Sequence, residues 1–427
     1  MDGVNKYSVT RKPPRHRGQV SISLARQHSV ETIWAFLRFM RETRLSFSTM
    51  YQIESSEDFL QKLVSPWYQS LRNPIDAQNE TLQNLIGHYS TTEYGKRHSI
   101  GSIESAVDFK LNFPKLRYET LHSYLEEVKR GNHQALLSEP PICWVMTRGS
   151  TGISKILPAT KTHLEQIFSC GARALVNHAL RKRDLALLTG KILNLNFPSA
   201  VASMKVAGKT VTYGYSSGTY AKLNPVFNQV SLLPKQEEID SLGPHITKSD
   251  WEKRFELVYQ RALDQDVTAA MGVTPVILSF ARYVSRKYGK KPKDLWRLRA
   301  LFCTSVRKIQ FKYAPKLQRY YGKVPIVEMY TATEGVYGQQ LDDLPYICPN
   351  YDAYLFEVET GRETKMLHEL QRGEWGRLIV SSCLFPRYEI GDMIEAMGKN
   401  YFRILGRSTR LTILEHRLYR LLWGWFL

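Results

Sequence analysis

Cysteine is scarce in this chain of 427 residues. The five that occur, Cys143, Cys170, Cys303, Cys348 and Cys383, are scattered, with no Cys-x-x-Cys spacing. That excludes a disulfide framework and a zinc-finger pattern, and it fits reduced thiols in the core of a cytoplasmic protein. Long apolar runs are missing as well. Nothing approaches the roughly 18 consecutive apolar residues that a membrane-spanning helix needs, and "RLLWGWFL" at the C-terminal end is short. There is no repeat of fixed period and no low-complexity segment. Acidic residues are also few: 40 Asp and Glu against 59 Lys and Arg leave a formal charge of +19. Such an excess suits phosphate-bearing partners. It is not gathered into one long basic run, and no RNA-binding aromatic motif accompanies it, so a generally basic surface is the plainer reading.

What is present is the make-up of a globular protein, with 43% hydrophobic and 23% charged residues. The length allows two or three domains. Residues 1–30 read as a disordered basic arm, since Lys6, Arg11, Lys12, Arg15, Arg17 and Arg26 face only Asp2 over the first 26 positions. From Glu31 to about Arg130 the apolar spacing is helical; "ETIWAFLRFMRETRL" is strongly amphipathic, and Ser56 stands where a helix start is expected. "PPICWVMT" reads as a buried strand entering a glycine-rich loop, with a helix later over "THLEQIFSCGARALVNHAL". Short β-like runs fill Lys191 to Leu233. "SDWEKRFELVYQRALDQ" is a helix, with Ser249 and Glu252 spaced as a capping box. Further strands are expected in "DLWRLRALFCTS", "VPIVEMYTATEG" and "EWGRLIVSSC", and this alternation argues for an α/β protein.

Three stretches carry chemistry. Thr147-Arg148-Gly149-Ser150-Thr151-Gly152-Ile153-Ser154-Lys155 combines glycines, hydroxyls and a lysine. Glycines let a backbone close on an anion, hydroxyls donate to phosphate oxygens, and the lysine adds a mobile charge. It is not a Walker loop, because only two residues separate the glycines and Lys155 lies three past Gly152. A polar surface turn is the alternative for this stretch alone. Tyr330-Thr331-Ala332-Thr333-Glu334-Gly335 follows the apolar run "VPIVEM", which puts a carboxylate at a strand end, where Mg²⁺ is commonly held. Arg387-Tyr388-Glu389-Ile390-Gly391-Asp392 offers a tight turn and an acid suited to a ribose diol. Gly406-Arg407 follows fifteen residues later.

In this order the segments resemble those of the adenylate-forming enzymes. Within that superfamily the chain looks most like the acyl-acid amido synthetases of the auxin-responsive-promoter family; "YTATEGVYGQQ", "PNYDAYLFEV" and "GRLIVSSCLFPRYEIGD" carry the likeness, which spans about Trp144 to Arg407. The resemblance implies a ligase-type activity that activates a small carboxylic acid with ATP and Mg²⁺, followed by amide formation with an amino acid. Transfer to coenzyme A and non-catalytic nucleotide binding stand as alternatives; nucleic-acid binding rests on charge alone. It further implies phosphate contacts from Thr147, Gly149, Ser150, Thr151, Gly152 and Lys155. Tyr330 would lie against adenine, Thr333 near the α-phosphate and Glu334 on Mg²⁺. Asp392 would bind the ribose, and Arg407 would sit at a hinge. The acyl pocket would draw on "MGVTPVILSF" and "CTSV". The expected fold is a large adenylate-forming domain over 31–405, with mixed sheets flanked by helices, and a hinge with a remnant over 406–427. The family's small C-terminal domain is expected to be absent or truncated, because "STRLTILEHRLYRLLWGWFL" is too short for it.

Overall fold

The structure is a computed structural model that describes residues 50–149, 154–224 and 232–423. The basic arm over 1–30, the amphipathic run Glu31–Leu45, the loop residues Ser150, Thr151 and Gly152, and the last four residues lie outside the described residues.

Helices dominate the first part of the described chain: α1 (Met50–Arg72), α2 (Pro74–Ser90) and α3 (Tyr118–Arg130). Ser56 falls inside α1 rather than at its start. A hairpin of β1 (Cys143–Met146) and β2 (Ile156–Ala159) follows, then the long helix α4 (Lys161–Lys182) and β3 (Lys191–Asn194). After β4 (Ala202–Val206) and β5 (Lys209–Tyr215) comes α5 (Ser216–Leu223), a helix that the sequence pattern did not announce. The chain continues through β6 (Leu232–Leu233), α6 (Lys248–Ala262), β7 (Val267–Val273), α7 (Thr274–Tyr288), β8 (Ala300–Thr304) and α8 (Ala314–Tyr321) to β9 (Ile326–Ala332) and β10 (Gly335–Gln339). The capping box of α6 uses Thr247 and Asp250, two residues before the expected pair; the Asp250 carboxylate takes the Thr247 N–H at 3.0 Å. The same three-residue spacing is satisfied one half-turn earlier, so the helix starts there.

Three sheets result. Seven strands order as β11 (Cys348–Pro349), β10, β9, β8, β7, β3 and β6. From β6 to β9 neighbours run parallel, and β10 and β11 add antiparallel strands at one edge. Helices α6, α7 and α8 pack one face through Phe255, Ile277, Phe280 and Leu317. α4 covers the other through Cys170, Ala174 and Ala179 against Ile192, Ala269 and Phe302. Both faces are covered, which is why these strands read as continuous apolar runs. A four-stranded sheet orders β2-β1-β5-β4. A five-stranded sheet orders β13 (Thr364–Met366), β12 (Leu355–Glu359), β14 (Trp375–Ser381), β15 (Tyr388–Gly398) and β16 (Tyr401–Arg407); α9 (Arg410–Trp423) follows. The fold is thus α/β with mixed sheets flanked by helices. No helix among the described residues is long and apolar enough to cross a membrane. Four of the five cysteines are buried, and all five are free thiols.

The five-stranded sheet is tied to the helical part by Arg387. Its guanidinium forks onto Glu357, with Nε and Nη2 donating to the two carboxylate oxygens at 3.0 and 2.9 Å. Nη1 donates to the carbonyls of Lys110 and Phe113 at 2.8 and 2.6 Å. The Arg387 carbonyl accepts from the Leu116 N–H at 2.9 Å. Arg387 is 5% exposed and Glu357 1%. Removing one member of such a pair strands a buried charge, at a cost of about 3–5 kcal/mol, whereas removing both is far milder. Arg387→Met should therefore lower the stability measured by denaturant unfolding by that amount, and adding Glu357→Met should restore most of it. Equal losses in the single and double variants would show that the pair does not carry the contact.

Candidate active site

The glycine-rich loop closes a hairpin rather than feeding a helix: α4 begins only at Lys161, after β2. The hairpin register pairs Met146 with Ile156. One step further out, the Thr147 N–H donates to the Lys155 carbonyl at 2.9 Å and the Lys155 N–H to Thr147 Oγ1 at 3.0 Å. Lys155 is therefore fixed at the mouth of the loop, opposite Thr147. Gly149 has φ +64°, a left-handed conformation natural to glycine. The Lys155 ammonium lies over the rings of Tyr118 and Tyr388, 5.4 and 5.5 Å from their centres, and donates to the Tyr388 hydroxyl at 3.0 Å.

The Glu334 carboxylate lies close enough to that hydroxyl for the two to influence each other's protonation. Glu334 and Thr333 form the two-residue turn between β9 and β10, where Ala332 pairs with Gly335. Thr333 is held from behind. Its carbonyl accepts from the Tyr220 hydroxyl at 2.7 Å, and Tyr220 in turn meets His163 Nε2 at 3.0 Å. Burial pushes the His163 pKa down to about 4, so the imidazole is neutral in this chain of contacts. Thr333 Oγ1 lies 3.1 Å from Ser216 Oγ at the start of α5. Glu334 is 7% exposed; burial raises its pKa above the ordinary value, against the opposing pull of Lys155.

Asp392 follows Gly391, whose φ is +86°. A Cβ there would meet Arg407 Nη1 at 3.3 Å, so glycine both allows the turn and leaves the guanidinium its place. Asp392 pairs in register with Arg407 across β15 and β16. Its carboxylate accepts from the Tyr330 hydroxyl at 2.9 Å and sits 3.4 Å from Arg407 Nε. Burial raises its pKa too, with Arg407 pulling the other way. The Tyr330 ring is buried beside Tyr337 and Phe402.

One cavity of about 810 Å³ joins these groups. Thr147, Gly149, Lys155, Tyr330, Thr333, Glu334, Asp392 and Arg407 all line it, so every described residue of the expected site comes together. Its polar end lies at the C-terminal ends of the parallel strands, marked by Val273, Thr304 and Thr331, where open α/β sheets bind ligands. The sequence reading missed Tyr118, His163, Ser216 and Tyr220, which stand in no motif. It also gave no role to Tyr388, although that residue sits inside the Gly-Asp motif. Glu328 on β9 is a further lining carboxyl, pushed up to about 8 by burial. Of the expected acyl stretches, Met271, Gly272, Val273 and Thr304–Val306 line the cavity, whereas Ile277, Leu278 and Phe280 are in the core.

The donor set fits a nucleotide with a hard cation. Hydroxyls, two cations and a left-handed glycine surround Glu334 and Asp392. Among the described residues no cluster of three His, Cys, Asp or Glu side chains forms a metal cage. A Mg²⁺ ion here would take Glu334 and complete its shell with phosphate oxygens and water, its usual habit.

Known proteins share sequence and fold with this chain. Residues 66–275 match the GH3 family N-terminal domain. The jasmonoyl–L-amino acid synthetase JAR4 of Nicotiana attenuata is 22% identical over 389 residues, covering 75% of this chain and 66% of that protein. The indole-3-acetic acid-amido synthetase GH3.15 of Arabidopsis thaliana is 30% identical over 99 residues, 23% of this chain and 16% of the relative. The chain thus spans less than two thirds of the length of either curated relative. Among solved structures, the AtGH3.15 acyl acid amido synthetase in complex with 2,4-DB superposes with a TM-score of 0.65 at 16% identity, covering 83% of this chain and 71% of that one. A 2-hydroxyisobutyryl-CoA ligase in the postadenylation state gives 0.53 at 13% identity, covering 78% and 67%. Just under half of the chain is thus similar to the GH3 family N-terminal domain, and its fold is shared with an acyl acid amido synthetase and a CoA ligase.

Proposed function

We propose that this chain activates a carboxylic acid with ATP as an acyl-adenylate and passes the acyl group to an amino acid as an amide. The observation that carries the reading is the single cavity with two unlike ends. Lys155, Glu334, Asp392 and Arg407 crowd one end, and aliphatic side chains line the other. In the first step a carboxylate oxygen of the acid attacks the α-phosphorus, a P–O bond forms, and pyrophosphate leaves. In the second an amine attacks the acyl carbon, AMP leaves, and the amine gives up a proton.

Each residue's part follows from its chemistry. Lys155 and the loop Thr147–Lys155 hold phosphate oxygens, the tyrosine clamp keeping the ammonium aimed into the cavity. Asp392 takes the ribose hydroxyls with the oxygen that Tyr330 leaves accessible. The Tyr330 ring flanks the base, and Thr333 reaches the α-phosphate. Mg²⁺ on Glu334 would supply charge neutralisation for the leaving pyrophosphate. Arg407, paired to Asp392, adds a cation beside the ribose. Prepositioned charges of this kind each contribute about 10²–10³ in rate.

Pyrophosphate exchange across a panel of carboxylic acids tests the first step, and product analysis with amino acids and with coenzyme A tests the second. Exchange that depends on one class of acid, with amide product, is expected. Nucleotide binding without exchange by any acid would leave a binding protein. Lys155→Ala should weaken ATP binding by roughly tenfold to a hundredfold in calorimetry, as loss of a charge-assisted contact does. Unchanged affinity would remove the loop from the phosphate site.

A cation needs the Glu334 carboxylate ionised, and burial raises the pH at which a proton takes its place. The Mg²⁺-dependent part of nucleotide affinity should therefore fall as pH drops, starting above the range of an ordinary glutamate. Glu334→Gln should abolish that dependence. A Mg²⁺ effect that persists unchanged into the ordinary carboxylate range would place the cation elsewhere.

A further inference from the structure

The apolar end of the cavity is not a shallow dish but a bore. On α4, Ile167, Phe168, Gly171, Ala172, Leu175 and Val176 all line it. That spacing is one helix face, and at 1.5 Å per residue it extends for about 14 Å. Across from it the wall follows β3, from Leu188 and Gly190 before the strand, past Ile192, to Asn196 beyond it. At strand rise Gly190 to Asn196 spans at most about 20 Å, β3 itself supplying Lys191–Asn194. Asn196 lies with the polar groups at the C-terminal edge of the sheet, so Gly190 and Leu188 lie at the opposite edge. There Leu63 of α1 completes the lining.

Among the described residues at that far end the lining is apolar. Leu63, Leu175, Val176, Leu188 and Gly190 offer no side-chain donor, acceptor or charge. Midway, Gly171 interrupts α4. Its backbone is helical, so no conformational need calls for glycine, which is disfavoured there relative to alanine. A Cβ built on it meets no atom within 4 Å. What Gly171 supplies is open bore, beside Ala172, the other small residue of the stripe.

We infer that the acid this site takes is a long, unbranched aliphatic one, a fatty acid, with its carboxylate at the Thr333 and Lys155 end and its methyl end between Leu63 and Leu188. An extended chain advances 3.3–3.6 Å per three bonds, so about 20 Å holds at most roughly seventeen bonds. This is longer than the small acid expected from the sequence. The inference rests on the acyl-activating reading for its chemistry, but not for the existence of the bore.

The test separates the two. A fluorescent polyene fatty acid is bound to the full chain without ATP and displaced by straight-chain acids from butanoate to hexadecanoate, with phenylacetate and indole-3-acetate alongside. Displacement should strengthen about three- to fourfold per added methylene until the bore is full. Gly171→Phe should shift the optimum toward shorter acids and weaken hexadecanoate at least tenfold. Leu63→Trp, at the far end, should trim only the longest, and it stands in should the first variant fail to fold. Aryl or short acids that compete as well as hexadecanoate would overturn the inference. So would a length profile that neither variant moves. Pyrophosphate exchange with the same acids then reads the activity: graded displacement without exchange keeps the bore and discards activation, and exchange with short acids only does the reverse.

Discussion

Arg387 and Glu357 form the contact on which the placement of the five-stranded sheet depends. Six hydrogen bonds meet at one residue: two to the Glu357 carboxylate, two to carbonyls of the segment before α3, one accepted from the Leu116 N–H, and one donated by its own N–H to Ser381 Oγ. Arg387 has φ +43°, a strained conformation for a side chain of its size. A fully satisfied fork and a buried position over-determine that strain. The next residue is Tyr388, whose hydroxyl stands between Lys155 and Glu334. The anchor of the sheet and the centre of the site are therefore adjacent along the chain, with their side chains facing opposite ways.

The fold was readable where period and punctuation agree. β8, β9 and β14 are apolar runs bounded by turn residues, and α4 and α6 carry the helical period; each forms where the pattern puts it. The misses have local causes. A second residue pair with the right spacing, Thr247 and Asp250, takes the cap of α6 from Ser249 and Glu252. α5 is too short and too rich in Ser and Gly for its period to show. Arg387 read as part of a nucleotide motif because it precedes Tyr388, yet its charge is consumed internally.

The site was readable through its glycines and acids. Gly149 and Gly391 take positive φ, and Glu334 and Asp392 end up buried in one cavity with Lys155 and Arg407. The supporting side chains were not. Tyr118 on α3, His163 on α4 and Tyr220 on α5 converge from separate elements, and no linear pattern marks residues that only topology brings together. The bore along α4 was hidden for a different reason. Its lining reads as an ordinary core stripe, and only an open glycine within that stripe distinguishes a wall from a packed interface.

Lys155 stands just before β2 of the four-stranded sheet, Glu334 in the β9–β10 turn of the seven-stranded sheet, and Tyr388 at the start of β15 in the five-stranded sheet. These three groups thus also mark the place where the three sheets meet. A chain with any two sheets docked and the third adrift has lost one of the three groups, whatever its secondary-structure content. The arrangement of these three groups is then a coincidence detector for complete assembly, present only when all three layers are in place.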